Sequence, residues 1–293
     1  MSGNPESCSI TPQHIWQFGR RRFDLSQRPC IMGVLNVTPD SFSDGNRFAT
    51  IERAVDRALE MEAEGADIID VGGESTRPYA QPVGADEEIR RVVPVIGALV
   101  SRLSIPLSVD TYKAVVARES LTVGAEIVND ISGLTFDPAM VAVVARSDAG
   151  LILMHTRGGP DSMQQDTSYA DLVAEVVASL GRSLQLAVSA GIASERIVID
   201  PGIGFGKSVA GNLELLRRLG TFSALGRPIL VGTSRKSFIG QVLGREVHER
   251  LFGTAATVAI ALANGASIFR VHDVKAIRDV ADMAAALVHP PSP

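Results

Sequence analysis

Three acidic or amide side chains stand directly after short apolar runs, and together they suit a flat heterocyclic ligand. The residues are Asp110, Asn129 and Asp200. Buried carboxylates and amides cost free energy unless a ligand or a protein partner satisfies them. Because a carboxylate can accept two parallel N–H bonds from one ring edge, the set fits an aminopyrimidinone. For each residue alone the alternative is a helix N-cap, notably for Asp110.

A second group of residues combines cations with one amide and suits a phosphorylated ligand. Arg270 and His272 close the last apolar run, and strand alternation places both on the same side. Lys236 follows another run at the start of a helical segment, where backbone N–H groups favour anions. Asn36 ends the first run and offers a neutral oxygen to a metal-bound phosphate. We interpret Arg270 and His272 as a pair that binds a diphosphate. The alternative for Lys236 is a charge that is simply exposed to solvent.

Two polar loops follow the first and second runs and have the composition of active-site lids. The first, Asn36-Val-Thr-Pro-Asp-Ser-Phe-Ser-Asp-Gly45, carries Phe42 with no apolar partner in register. The second, Gly72-Gly-Glu-Ser-Thr-Arg-Pro78, places Arg77 beside Pro78, which favours an anion contact on a stiffened segment. The alternative for the first segment is an ordinary surface loop, and the alternative for the second is a capped turn.

The segment Asp200-Pro-Gly-Ile-Gly-Phe-Gly-Lys-Ser208 imitates a phosphate-binding loop. That motif requires glycine at position 201, where this chain has Pro201, so no ATP site is predicted. Phe205, on the glycine-rich stretch, could stack on a ring. The roles of Asp70 and His155, which follow two further runs, stay open between ligand contact and structural support. No His/Cys cluster has the spacing of zinc ligands.

Eight short apolar runs that end in polar residues must position these side chains. Amphipathic segments of helical period lie between the runs, at Ile51–Glu64, Glu87–Leu103 and Asp171–Ala190. Alternating strands and helices imply parallel strands with right-handed crossovers, and apolar strands imply burial on both faces. The endings are Asn36, Asp70, Asp110, Asn129-Asp130, His155, Asp200, Ser234-Arg235 and Arg270-Val-His272.

These runs predict the α/β class and a single (β/α)8 TIM barrel, which gathers all strand C-termini at one face. An open doubly wound sheet is the alternative, but it would need polar endings only around one switch point. Ile15–Leu25, with Gly19 near its middle, predicts a short N-terminal β-hairpin. We expect the barrel domain at 12–288 and disordered ends at 1–11 and 289–293.

Composition limits the classes of partner. The chain has 293 residues and a net charge of -5 with scattered basic residues, so nothing favours nucleic acid. Cys8 and Cys30 give no disulfide framework and suit a reducing compartment. Met1–Ser9 is too polar for a secretory signal, and the apolar stretch Thr254–Ala263 is too short to span a membrane. We expect a cytoplasmic protein that acts on small molecules.

The polar endings and loops occur as seven motifs in one order, and this series resembles dihydropteroate synthases over roughly residues 15–288. That family joins 4-aminobenzoate to (7,8-dihydropterin-6-yl)methyl diphosphate in folate biosynthesis, and sulfonamides imitate its aminobenzoate substrate. The motifs are Asn36-Val-Thr-Pro-Asp-Ser-Phe-Ser-Asp-Gly45, Asp70-Val-Gly-Gly-Glu-Ser-Thr-Arg-Pro78, Ser108-Val-Asp-Thr111, Val128-Asn-Asp-Ile131, Asp200-Pro-Gly-Ile-Gly-Phe205, Ser234-Arg-Lys-Ser237 and Arg270-Val-His-Asp273.

The resemblance implies a role for each candidate residue. Asn36 would hold Mg²⁺, and a homodimer would form through the late helices. The catalytic residues would be Lys236, Arg270, His272 and Asp110. The pterin diphosphate would bind Thr76, Asp110, Asn129, Asp200, Lys236, Arg270 and His272. The 4-aminobenzoate pocket would contain Phe42, Thr76, Arg77, Pro78, Phe205 and Ser237.

Two positions depart from the family pattern, Asn46 and Tyr79, where glycine is common. Tyr79 adjoins the implied aminobenzoate pocket and bears on loop closure and on the response to sulfonamides. One rival function is a pterin-binding methyltransferase with a corrinoid partner, which has no need of Thr76-Arg-Pro78 or the Arg270/His272 pair. Another is a non-catalytic pterin carrier, which would not require two polar lid loops.

Overall fold

The computed structural model describes residues 14–38, 47–76 and 79–288, with the side chains of residues 47–50 excepted. Phe42, Asn46, Arg77, Pro78 and the two ends expected to be disordered lie outside the described residues.

The described strands form one antiparallel hairpin and one closed parallel barrel. The parallel strands pair in the order β8-β7-β6-β5-β4-β3-β10-β9, and a parallel bridge between Ile199 and Ile229 joins the two ends. This confirms the predicted barrel over the open sheet. The strands are β1 (Ile15–Phe18), β2 (Arg21–Asp24), β3 (Cys30–Asn36), β4 (Ile68–Gly72), β5 (Leu107–Asp110), β6 (Ile127–Asp130), β7 (Gly150–Met154), β8 (Ile197–Asp200), β9 (Leu230–Val231) and β10 (Ile268–Val271).

Helices follow the barrel strands and pack outside them. The amphipathic segments lie on α1, α2 and α5, although α2 ends four residues before Leu103. The helices are α1 (Arg47–Ala63), α2 (Ala85–Leu99), α3 (Ala114–Thr122), α4 (Met140–Ala145), α5 (Leu172–Ser189), α6 (Val209–Arg217), α7 (Ser237–Leu243), α8 (Leu251–Ala263) and α9 (Val274–Val288).

Strand alternation divides the barrel interior into an apolar lower layer and a polar upper layer. Ile68, Ile127, Val198 and Ile268 belong to one buried cluster inside the barrel. Residues two positions later point the same way, and they are Asp70, Asn129, Asp200 and Arg270. Asp70 therefore lies within β4, which continues to Gly72, rather than at its end. The polar layer is the floor of the barrel mouth.

The hairpin closes the opposite end of the barrel. Trp16 and Phe18 are buried in the same cluster as the lower interior layer, and the Trp16 indole donates to the Arg196 carbonyl at 2.9 Å. A Cβ at Gly150 would lie 2.9 Å from the Phe18 ring, so only glycine allows the hairpin to pack this closely. This end of the barrel is therefore filled by the hairpin side chains.

One described helix, α5, is long and apolar enough to cross a membrane by length and composition alone. Its residues Leu172, Val173, Val176 and Leu180 are buried in the main core around the barrel. The apolar face of α5 is thus used in packing against the barrel.

Candidate active site

The three residues assigned to the heterocycle meet at the barrel mouth. Asp110, Asn129 and Asp200 lie at the upper ends of β5, β6 and β8 and are buried. Asp110 is not a helix cap, because α3 begins at Ala114 and its N-cap residue is Lys113. The structural alternative for Asp110 is therefore excluded.

Arg270 occupies the centre of the mouth between two carboxylates. Its Nε donates to Asp70 Oδ2 and its Nη2 to Asp110 Oδ2, both at 2.6 Å. Asn129 Nδ2 also donates to Asp70 Oδ2, at 3.0 Å. Asp70, which the sequence left without a role, thus positions both Arg270 and Asn129. We call these four residues the mouth cluster.

The mouth cluster leaves hydrogen-bond acceptors unused. Asp70 Oδ1 and Asp110 Oδ1 are buried and have no hydrogen-bond partner among the described residues. Burial raises the pKa of Asp110 to about 7. The Arg270 charge acts to lower this pKa, and the Asp70 charge acts to raise it. A buried acceptor without a donor is costly, so Asp110 Oδ1 suits a ligand that carries an N–H group.

Asp200 and Lys236 face each other across the β8 loop. Burial raises the pKa of Asp200, and Lys236 opposes this shift; Asp200 Oδ1 accepts from the Gly202 N–H at 2.7 Å. Burial also lowers the pKa of Lys236 to about 8. Lys236 Nζ lies 4.4 Å from the centre of the Phe205 ring and donates to the Ile203 carbonyl. The predicted lysine therefore points into the mouth.

An apolar wall lines one side of the mouth. Phe205 is buried together with Ile131, Met154 and Met163, and Tyr112 packs against them. The position of Phe205 depends on glycine, because a Cβ at Gly202, where φ is +70°, would lie 1.9 Å from the His155 carbonyl oxygen. The wall offers the surface on which a planar ring can stack.

The Ser234–Ser237 segment separates its two adjacent cations. Arg235 has a left-handed backbone, with φ of 58°, and its Nε donates to Asp273 Oδ2 at 2.9 Å. Ser234 Oγ accepts from the His272 N–H at 3.1 Å and lies 3.0 Å from His272 Nδ1. Ser237 is exposed as the first residue of α7. His272 is thus oriented by Ser234, beside Lys236.

Asn36 lies at the top of β3, paired with Gly72. A Cβ at Gly72 would lie 3.7 Å from Asn36 Oδ1 and 3.6 Å from Asp110 Oδ2, so these two oxygens border the same small space. Within the described ranges no group of three or more His, Cys, Asp or Glu side chains could hold a metal ion. A cation at Asn36 would therefore take most of its ligands from substrate and water, as Mg²⁺ does in phosphate sites.

The second lid loop is anchored by a buried ionic cluster that the sequence did not reveal. Tyr112 Oη donates to Glu74 Oε1 at 2.8 Å, and the Val83 N–H donates to Glu74 Oε2 at 3.1 Å. Lys113 Nζ donates to both Glu74 and Glu88. We call Glu74, Glu88, Tyr112 and Lys113 the side cluster. It fixes the chain two residues before Thr76.

Lys207 is a second residue whose position the sequence did not indicate. Its Nζ donates to the carbonyls of His155 and Phe205 at 3.1 and 2.8 Å and lies 3.0 Å from His155 Nδ1. Burial lowers the pKa of Lys207 well below its ordinary value. The lysine that completes the apparent phosphate loop instead ties that loop to β7.

Comparisons with known proteins agree with this geometry. Residues 32–272 match the model of the pterin binding enzyme family. The dihydropteroate synthase of Synechocystis sp. is 48% identical over 270 residues, which cover 92% of this chain and 93% of the relative. The chain belongs to the dihydropteroate synthases.

Solved dihydropteroate synthases share the whole barrel. The Xanthomonas albilineans enzyme with 4-aminobenzoic acid is 43% identical, with a TM-score of 0.88 over 95% of this chain and 100% of that one. The Yersinia pestis enzyme in complex with a sulfonamide drug is 42% identical, with a TM-score of 0.88 over 93% of this chain and 98% of that one. As a dihydropteroate synthase, the protein is a transferase of folate biosynthesis, and the methyltransferase and carrier interpretations are not supported.

Proposed function

We propose that the barrel mouth joins 4-aminobenzoate to (7,8-dihydropterin-6-yl)methyl diphosphate by dissociative displacement of diphosphate. The observation that carries this proposal is the mouth cluster. It combines a buried carboxylate oxygen without a donor, on Asp110, with a guanidinium on Arg270. One group fits ring N–H donors and the other fits phosphate oxygens.

The pterin ring binds to Asp110, Asn129, Asp200 and Lys236. Since Asn129 Nδ2 donates to Asp70, its Oδ1 is the atom left for the ligand, as an acceptor. The carboxylates accept ring N–H groups, and Lys236 donates to a ring acceptor. Phe205 covers a face of the ring.

The diphosphate binds to Arg270, His272 and Asn36. Burial works against the charge of Arg270, but the Asp70 and Asp110 carboxylates hold its pKa above the ordinary value. Arg270 therefore stays cationic and can neutralise charge on the leaving group. When Mg²⁺ is bound at Asn36, it supplies further charge neutralisation on the diphosphate oxygens.

The reaction breaks the bond between the methylene carbon and the diphosphate oxygen, and the oxygen leaves with the electron pair. Electron release from the pterin ring stabilises the cationic methylene, and the ionised Asp110 and Asp200 stabilise the positive charge that spreads into the ring. The amino nitrogen of 4-aminobenzoate then attacks the carbon and loses a proton. Positioning and exclusion of water are the protein's main contributions.

The 4-aminobenzoate binds at the outer rim, between Thr76, Phe205 and Ser237 and together with Phe42, Arg77 and Pro78 of the two lid loops. Support comes from the side cluster, which fixes the loop that carries Thr76, and from the place of Ser237 directly after Lys236. The carboxylate of this substrate suits the charge of Arg77 and the exposed Ser237.

A homodimer through the late helices and a cytoplasmic location complete the proposal. Several large apolar side chains on α7 and α8 and the turn between them are exposed, and Phe252 is the most exposed at 84%. A cavity of about 480 Å³ lies between α6 and α8, lined mainly by apolar side chains such as Leu213 and Ile260. Contiguous exposed apolar surface of this kind favours an interface. Light scattering that gives the monomer mass would contradict it.

Two measurements test the chemistry. Diphosphate should be released when the pure protein is incubated with the pterin diphosphate, 4-aminobenzoate and Mg²⁺. Absence of product would refute the activity. Sulfonamide should compete with 4-aminobenzoate in the same assay. The dissociative step is tested with pterin diphosphate that carries ¹⁸O between the methylene carbon and phosphorus. This substrate is incubated with the protein and Mg²⁺ in the absence of 4-aminobenzoate. Scrambling of the label into non-bridging positions is expected, and an unscrambled label under turnover-competent conditions would contradict dissociation.

A further inference from the structure

A cavity of about 290 Å³ lies outside the barrel wall, between the end of β7 and α5. It is separate from the mouth and plays no part in the chemistry proposed above. Its helical side is formed by Glu175, Ala178, Ser179 and Arg182, which occupy one face of α5 at spacings of three and four. Its inner wall is His155, at the end of β7.

His155 presents a hydrogen-bond donor to this cavity. Lys207 Nζ contacts two carbonyl oxygens and His155 Nδ1, at 2.8 to 3.1 Å. When Lys207 is an ammonium, it has three N–H donors and no acceptor, so Nδ1 accepts the third hydrogen and Nε2 carries the ring proton. The residue is 8% exposed, and in the described part of the chain Nε2 has no hydrogen-bond partner. Because His155 lines the cavity, a ligand there can supply the acceptor for Nε2–H.

The one carboxylate that lines the cavity is already neutralised. Glu175 Oε2 accepts from Arg157 Nη2 at 2.9 Å, and Oε1 accepts from the Ala170 and Asp171 N–H groups at 2.8 and 3.2 Å. The Arg157 guanidinium lies 3.7 Å from the centre of the Tyr169 ring, which holds it as a fixed wall. Arg182 has no carboxylate partner among the described residues. Among the residues that line the cavity, two arginines therefore face one glutamate, although Arg157 also lies 3.5 Å from the exposed carboxylate of Asp166.

We propose that this cavity binds a small oxyanion of the phosphate class, with the His155 Nε2–H and the Arg182 guanidinium as its donors. The Ser179 hydroxyl lines the same space and adds a third donor. Lys207 joins His155 to the Phe205 carbonyl, so the bound anion lies two contacts from the apolar wall of the mouth.

The test uses protein with ¹⁵N-labelled histidine, titrated with inorganic phosphate at constant ionic strength set with chloride. His155 reports on the cavity and His272 on the mouth, so binding at the two places is separated. We expect a saturable shift of the His155 Nε2 signal with a dissociation constant on the order of 1 mM, as for a few charge-assisted bonds. A parallel titration with diphosphate shows which of the two anions binds more tightly.

The matched variants are Arg182→Gln and Arg218→Gln. Arg218 is an exposed arginine at the C-cap of α6 that pairs with Glu214 and does not line the cavity. Arg182→Gln should weaken the His155 response about tenfold, through loss of one charge-assisted donor, while Arg218→Gln leaves it unchanged. A His155 signal that does not move with either anion, or one that moves equally in both variants, would overturn the proposal.

Discussion

The mouth cluster and the side cluster both place a single cation between two buried carboxylates. They differ in whether all the carboxylate oxygens accept a hydrogen bond. In the mouth cluster, one oxygen of Asp70 and one of Asp110 have no donor in the part of the chain that the structure describes. In the side cluster, Glu74 accepts from Tyr112 and from a backbone N–H in addition to Lys113. The unsatisfied cluster is prepared for a ligand, whereas the satisfied one holds a loop in place.

The largest effect is expected when the side cluster loses its cation. Lys113→Met leaves Glu74 and Glu88 buried without a counter-ion and should lower the free energy of unfolding by about 3–5 kcal/mol, measured by urea denaturation. Arg118→Met is the control on the same helix, because the Arg118–Glu119 pair is exposed and should contribute less than ~1 kcal/mol. Similar losses in the two variants would show that the side cluster is not a structural clamp.

Removing a carboxylate from the mouth cluster should instead affect the ligand. Asp110→Asn should weaken binding of the pterin diphosphate about 100-fold, because the amide cannot replace a charged acceptor. The loss of stability should be smaller than for Lys113→Met, since Arg270 retains Asp70. Calorimetry measures the affinity, with Asp148→Asn at the hairpin end of the barrel as the control. Unchanged affinity in Asp110→Asn would remove the functional distinction between the clusters.

The pH dependence of kcat/KM should report Asp110 and Lys236, two of the groups in the mouth whose pKa is shifted. With the pKa of Asp110 at about 7, the rate should fall about tenfold per pH unit below that value as the acceptor is protonated. With the pKa of Lys236 at about 8, it should fall again above that value as the cation is lost. Asp110→Asn should remove the Asp110 contribution to the acid limb and leave the alkaline limb in place, whereas Lys236→Arg should shift the alkaline limb upward. An acid limb that is unchanged in Asp110→Asn would have to come from Asp200, whose pKa burial also raises.

The raised pKa of Asp110 affects the stability of the fold in the opposite direction to its effect on activity. Asp110 has a folded-state pKa of about 7 against an ordinary 3.8, so the folded protein holds the proton more strongly than the unfolded chain. Its contribution to stability is therefore fully present below the unfolded value and is lost as the pH rises through about 7. Activity and stability at this residue change in opposite directions with pH.

The difference between the clusters also explains what the sequence could predict. Asp110, Asn129 and Asp200 were predictable because a parallel barrel gathers residues after apolar runs at one face. Asp70 was visible as a polar residue, but its pairing with Arg270 depends on side-chain reach across the barrel. Partners in the side cluster have no common spacing, since Lys113 lies 39 residues from Glu74 and 25 from Glu88.

Lys207 shows a related limit. Pro201 distinguishes its motif from a phosphate-binding loop, but the burial of Lys207 beside His155 follows from the path of the glycine-rich loop. That path is set by close backbone contacts such as the one at Gly202, and no local pattern records them. Periodicity predicts elements and the faces they share, whereas the choice among buried charge partners is a tertiary property.

The smallest predicted effect concerns the loop that the side cluster anchors. Tyr79 has a φ of 66°, a left-handed conformation that costs an L-residue about 1–2 kcal/mol, and its side chain is 66% exposed. Its N–H donates to the Pro160 carbonyl at 2.8 Å, a bond that glycine would keep. Because glycine also gains entropy in the unfolded chain, Tyr79→Gly should raise the free energy of unfolding by only about 0.5–1 kcal/mol.

Tyr79→Ala is the matched control, since it removes the exposed ring but keeps the Cβ and the backbone strain. If the side cluster holds the loop against that strain, only the glycine variant should be stabilised, and urea denaturation of both variants measures the difference. Combining Tyr79→Gly with Lys113→Met sharpens the comparison further. If the side cluster maintains the strain, glycine should stabilise the Lys113→Met background less than the native protein, and equal gains would mean that the side cluster and the strain are independent.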